Sequence, residues 1–195
     1  MKNINDLIYY KKNHLEKAVC DRLINFYEEN IHLTFKEKSY KYEEDSSENQ
    51  SHFDNYNVLN ISKLGEIKHF KDIFEETYNY INQVVLEYEK YLQDNFFNSF
   101  QNTFYNYTNN IRIIKYEIGQ CIKDHSDVAD NIRGSCTINL NDNYEGGEFR
   151  FFNGKKKIKL NCGEAIIFPA EPIWIHGTDP IIKGARYSIN CFLRQ

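Results

Sequence analysis

Residues 163–193 read GEAIIFPAEPIWIHGTDPIIKGARYSINCFL. Two runs rich in β-branched and aromatic residues, GEAIIFP and RYSINCFLR, flank an apolar segment, Pro172-Ile173-Trp174-Ile175, that leads into His176. Turn formers stand before each run, Asn161-Cys162-Gly163 and Lys183-Gly184. The same rhythm continues upstream. IRIIKYEIG, QCIKDHSD, IRGSCTINL, GEFRFF and KKIKL are short strand-like segments, with Asn141-Asp142-Asn143, Gly146-Gly147 and Asn153-Gly154 as turn signals. About seven or eight such segments predict an antiparallel sandwich or barrel.

Outward from this block, toward the N-terminus, the period changes. Leu15 to Glu29 places Val19, Leu23, Ile24 and Phe26/Tyr27 at helical spacing. Phe70, Ile73, Thr77, Ile81, Val84, Tyr88 and Tyr91 recur every three or four residues, which predicts a longer helix with a packed aromatic stripe. Between them, residues 36–57 are polar and lack an apolar period, so they read as a loop. Helices first and strands second predict an α+β fold with helices packed on one face of a β core. No repeat or Gly/Ser linker divides the chain. Residues 1–195 are therefore expected to form one domain, with a helical part over about 1–105 and a β core over about 108–195.

Composition narrows the partners. A net charge of −4 gives no general attraction for nucleic acid or an anionic membrane. Cys20, Cys121, Cys136, Cys162 and Cys191 are odd in number and form no C-x-x-C pair, so reduced thiols are expected rather than a zinc ribbon or disulfide framework. No apolar run is long enough for a membrane span, and the N-terminus has no signal-peptide pattern. A soluble, cytoplasmic protein is the expectation.

Within the β block, His125-Ser126-Asp127 supplies an imidazole and a carboxylate two residues apart. In a strand both would face one side, with Asp124 and Ser126 facing the other. A second histidine, His176, would complete a two-His-one-carboxylate facial triad with open positions, the donor set of non-haem iron oxygenases. Ten residues past His176 stands Arg186, after the turn formers Asp179, Pro180, Lys183 and Gly184. An inward Arg in an apolar strand needs an anion. Its fork suits a carboxylate, and Ser188 shares its face. A dicarboxylate co-substrate bridging metal and Arg186 is the simplest such anion. His52-Phe53-Asp54 repeats the spacing, but it lies in the polar loop, far from His176, and is not expected to bind metal.

In order, Tyr116-x-x-Gly119, His125-x-Asp127, Glu145-Gly-Gly-Glu148, His176 and Arg186-Tyr-Ser resemble the prolyl 4-hydroxylase group of Fe(II)/2-oxoglutarate dioxygenases. The resemblance covers roughly 110–193, and AVCDRLINFYEEN (residues 18–30) is similar to the family's opening helix. It implies a double-stranded β-helix (jelly-roll) core with His125, Asp127 and His176 as the catalytic Fe(II) ligands. Arg186 would then hold the distal carboxylate of 2-oxoglutarate, with Tyr116 facing it. Asn139, where relatives often carry Tyr, and Thr137 on the same strand face would assist, with Ser188 beside them. The implied reaction uses Fe(II), 2-oxoglutarate and O2, with ascorbate as an optional reductant, and hydroxylates a prolyl residue of a peptide or protein with release of succinate and CO2. Rival readings are the same chemistry on a lysyl or arginyl side chain, a free amino acid or a nucleobase, a jelly-roll binding module without activity, and a cupin-like metal enzyme that uses no 2-oxoglutarate. Tyr144–Glu148 reads as a tight turn, Lys155-Lys156-Lys157 as an exposed turn and strand start, and Trp174 as core or pocket wall.

Overall fold

The computed structural model describes residues 3–38, 55–96, 107–128 and 131–194. Three helices and twelve strands are set out along these segments. They are β1 (Tyr9–Lys11), α1 (Lys17–Glu29), β2 (Phe35–Lys38), β3 (Asn55–Asn60), α2 (Ile61–Leu64), α3 (Lys71–Phe96), β4 (Tyr107–Tyr116), β5 (Ile132–Asn139), β6 (Glu145–Gly146), β7 (Phe149–Phe151), β8 (Lys156–Ile158), β9 (Ala165–Pro169), β10 (His176–Thr178), β11 (Ile181–Lys183) and β12 (Arg186–Arg194). No helix among the described residues is long and apolar enough to cross a membrane.

Helix α1 buries Cys20, Leu23 and Tyr27, and the 26-residue α3 buries Thr77, Ile81, Val84, Val85, Tyr88 and Leu92. Each set repeats at the helical period and forms one apolar stripe. The stripes share a core with Ile111, Ile113, Cys136, Ile138, Ala165, Ile167, Ile189, Cys191 and Leu193. Those residues alternate along β4, β5, β9 and β12, so they line a single face of one sheet. Burying each large aliphatic there is worth roughly 1.5–3 kcal/mol. The sheet has seven antiparallel strands in the order β1-β9-β5-β12-β4-β3-β2.

Smaller sheets account for the remaining strands. Their orders are β10-β7-β8 and β11-β6. His125 joins the first through an isolated bridge to His176, with backbone bonds of 2.9 Å in both directions. Gly146 pairs with Ile181 at φ +85°, where an added Cβ would lie 2.1 Å from the Pro180 carbonyl. The Gly-Gly turn is thus required by close backbone approach.

Three expectations need correction. The first half is not purely helical, because β1, β2 and β3 belong to the large sheet. The ends of the 36–57 stretch are strands, Phe35–Lys38 paired with Asn55–Asn60. Strand β2 is the sheet's outer edge, where charged side chains discourage further pairing, so its polarity hid it. The rest of that stretch lies outside the described residues, and His52-Phe53-Asp54 lies there too. QCIKDHSD, expected as a strand, is irregular apart from the His125 bridge; the apolar segment Pro172–Trp174 forms a 3-10 turn. That turn leaves Ile173 and Ile175 exposed and delivers His176 as the first residue of β10.

Candidate active site

The face of the large sheet opposite the helices is different in kind. Its inward residues on β12 are Arg186, Ser188 and Asn190; on β5, Ser135, Thr137 and Asn139; on β4, Arg112, Ile114 and Tyr116. Ser188 pairs with Asn139 and Ile114, and Asn190 with Thr137 and Arg112, so these side chains stand in cross-strand rows. Register alone assembles a polar floor.

His125, Asp127 and His176 offer ligand atoms that all lie within 4.8 Å of one another. His125 Nε2 is 3.0 Å from Asp127 Oδ1, and His176 Nε2 is 3.5 Å from Asp127 Oδ2. Asp127 also accepts a short hydrogen bond from the Ser135 hydroxyl. Each imidazole is oriented from behind: Nδ1 of His125 meets the Lys123 carbonyl at 2.8 Å, and Nδ1 of His176 meets the Trp174 carbonyl at 3.1 Å. Donation from Nδ1 to a carbonyl leaves the Nε2 lone pair to face a metal. The rings sit 4.5 Å apart, and His176 is boxed by Phe151 and Phe168.

Electrostatics agree with a cation site. Burial works against the charge on Asp127, yet the His125 hydrogen bond, the fields of His176 and His125, and the Ser135 bond together hold its carboxyl down at about 2. Burial pushes His176 down to about 4, so it is neutral near pH 7. Burial opposes protonation of His125 as well, but its bond to Asp127 prevails and raises its pKa. A proton bridging His125 and Asp127 is what a divalent cation would displace. Two imidazoles and one carboxylate with the remaining faces open fit Fe(II).

Arg186 is 2% exposed, and no carboxylate among the described residues pairs with it. Its Nε donates to Asn139 Oδ1 at 3.0 Å, and its guanidinium lies 5.5 Å from the Tyr116 ring and 5.0 Å from the Phe149 ring. Asn139 is fixed in turn, donating to the Leu160 carbonyl at 3.0 Å and accepting from the Tyr144 hydroxyl at 3.3 Å. The Tyr116 hydroxyl is buried without a partner among the described residues. A buried cation beside an orphaned hydroxyl is the imprint of a missing anion. The carboxylate of 2-oxoglutarate fits both.

Ser188 lies in this floor and donates to Asn190 Oδ1 at 2.7 Å, while Asn190 Nδ2 donates to Thr137 Oγ1 at 2.9 Å. All eight sequence-derived candidates therefore lie in one region. Within the protein the Ser188 hydroxyl is directed to Asn190, Thr137 accepts from Asn190, and Asn139 is bonded to Arg186 and the Leu160 carbonyl. Ser135, Asn190 and Tyr144 were missed. Ser135 was findable, since it shares strand parity with Thr137 and Asn139; Tyr144 sits in a turn whose approach to Asn139 no local pattern announces.

Residues 111–194 match the family model described as the 2OG-Fe(II) oxygenase superfamily. The matched stretch holds the triad and Arg186 and supports a 2-oxoglutarate-dependent dioxygenase, an oxidoreductase class that uses Fe(II), 2-oxoglutarate and O2. No curated protein matches the chain by sequence. Solved structures do match. The viral collagen prolyl hydroxylase of Paramecium Bursaria Chlorella virus-1, in its 2OG complex, shares 17% identity over 96% of this chain and 95% of its own, with TM-score 0.62. The Trichoplax adhaerens prolyl hydroxylase in complex with a hypoxia inducible factor peptide fragment shares 15% over 98% and 86%, with TM-score 0.65. The Pseudomonas putida prolyl-4-hydroxylase shares 12% over 98% and 97%, with TM-score 0.66. At these identities the likeness is one of fold. The resemblance to a 2-oxoglutarate oxygenase stands, in a fold shared with these prolyl hydroxylases.

Proposed function

We propose that this chain hydroxylates a prolyl residue of a peptide or protein, with conversion of 2-oxoglutarate to succinate and CO2. The large sheet and the two small ones are read as the halves of a double-stranded β-helix. His125, Asp127 and His176 would hold Fe(II), which when bound supplies the activation of O2 and the oxidising power for the C–H bond.

The chain's own residues supply position and charge. Arg186 would meet the distal carboxylate, with Asn139 keeping its guanidinium in plane and Tyr116 donating its free hydroxyl. Thr137, Asn190 and Ser188 line the floor between Arg186 and the triad. Phe149, Phe151 and Phe168 keep the triad's inner wall dry, which strengthens every charge inside. The observation that carries the reading is the buried, carboxylate-free Arg186 set in the same interior as an open three-donor site. Prolyl substrates are favoured because the structural neighbours are prolyl hydroxylases, one of them seen with a peptide.

The test is anaerobic titration with Fe(II) and 2-oxoglutarate, followed by mass spectrometry of proline-rich peptides after O2 is admitted. A visible charge-transfer band that weakens in Arg186→Ala, and a gain of one oxygen on proline, are expected. A band without proline oxidation would move the reading to a lysyl, arginyl, free amino-acid or nucleobase substrate. Iron without a band would sink the 2-oxoglutarate role.

A further inference from the structure

Arg112 is a second buried cation facing the same interior. It lies on β4 with Ile114 and Tyr116, on the face away from the helices, and is 7% exposed. Its Nη1 donates to both oxygens of Glu37 on β2, at 2.9 and 2.7 Å. Its guanidinium lies 4.9 Å from the ring of Phe192, whose cross-strand partner Ser135 bonds the metal-site carboxylate Asp127. Its Nε is buried and has no partner among the described residues. By register Arg112 stands opposite Asn190, next to the Phe192–Ser135 pair that reaches Asp127, whereas Arg186 stands opposite Tyr116 at the start of β12.

Two buried arginines with different partners imply different tasks. Among the described residues Arg186 bonds a neutral amide and no carboxylate, which leaves its charge for an anion. Arg112 is already neutralised by Glu37, so it has no need of a second anion, yet a donor is left unmade. A neutral acceptor meets that need. Resting on the peptide reading above, we infer that Arg112 anchors the substrate chain, its Nε–H hydrogen-bonding a main-chain carbonyl of a peptide laid over Phe192. Glu37 sets the charge preference of that subsite by cancelling the guanidinium.

The experiment measures KM and kcat for hydroxylation of poly(L-proline) and of an acidic Glu-Pro copolymer, in the full chain and in two variants. Arg112→Met should raise KM for poly(L-proline) about tenfold, the scale of one lost hydrogen bond, with a smaller change in kcat. Glu37→Gln keeps Arg112 but bares its charge, so KM for the acidic copolymer should fall relative to poly(L-proline). A merely structural ion pair would not produce that charge selectivity. An unchanged KM in Arg112→Met overturns the anchor while leaving the prolyl reading intact. Should Arg112→Met fail to fold, an unchanged copolymer ratio in Glu37→Gln overturns it by itself. A wild-type protein that oxidises neither polymer overturns the peptide reading and the anchor with it.

Discussion

The two faces of the seven-stranded sheet come from the same strands and share no chemistry. On β12, Tyr187, Ile189, Cys191 and Leu193 face the helices, whereas Arg186, Ser188, Asn190 and Phe192 face the small sheets. On β5 the helix side is Cys136 and Ile138, and the other side is Ser135, Thr137 and Asn139. One face is apolar and gains stability by burial. The other buries charges and amides, which costs stability unless each finds a partner. A period of two lets one strand serve both ends, because residues i and i+1 never compete for space. Fold and chemistry are therefore separable by parity, and substitutions at neighbouring positions should have opposite phenotypes.

The largest effect expected on the site face is loss of a triad member. His176→Ala should lower 2-oxoglutarate turnover by at least about a thousandfold, or ~4 kcal/mol of barrier, with little change in thermal stability because the ring is held by neighbours rather than holding them. A Tm drop as large as that of a core variant would break the separation.

On the helix face, Ile189→Ala should destabilise the protein by about 2–5 kcal/mol, since Ile189 is 1% exposed in the core shared with α1 and α3. Urea unfolding measures it. The affinity for Fe(II) and 2-oxoglutarate should hold below the transition. A weakened Kd at low temperature, where the variant is folded, would mean the faces are coupled through the strand.

Parity also explains what the sequence disclosed. The β-block segments, the helical stripes and the triad residues were legible, because each is a local spacing or a residue type with few alternatives. His125-x-Asp127 was found for a partly wrong reason. The loop holding it is a strand at one bridge only, and Asp127 is aimed by Ser135 rather than by strand alternation. The Arg112–Glu37 pair was not legible: the two residues are 75 positions apart and meet through β3, which pairs with both of their strands. No local pattern encodes such a meeting.

A pH titration of the metal-free protein sharpens the comparison further. Buried His176 is held near 4 against an ordinary 6.5, so between those values the unfolded chain takes up a proton that the native one refuses. Stability should therefore fall as pH is lowered from 6.5 toward 4, by up to about 3 kcal/mol. His125, whose pKa is raised, adds no slope of its own in that window, since its contribution is fully present below 6.5 and lost only as pH rises through its folded value. Asp127, held at about 2 against 3.8, loses its contribution only below 3.8. His176→Ala should reduce the slope between 4 and 6.5 to the part that His14, whose pKa burial also lowers, contributes. A slope that persists undiminished would place its origin elsewhere.

The smallest effect tests whether the site face gives up stability for function. Tyr116 packs its ring between Tyr56 and Arg186, but its hydroxyl is buried with no partner among the described residues. Burial raises its pKa, so it is a neutral donor at any ordinary pH. Tyr116→Phe removes an unsatisfied group and keeps the packing. The variant should be no less stable than wild type, and up to about 1 kcal/mol more stable. Its KM for 2-oxoglutarate should nevertheless rise about three- to tenfold, the range of one hydrogen bond to a carboxylate. Thermal melting and 2-oxoglutarate kinetics on the same preparation read both. A stability loss with unchanged KM would show that the hydroxyl serves the fold, and Tyr116 would move to the other side of the comparison.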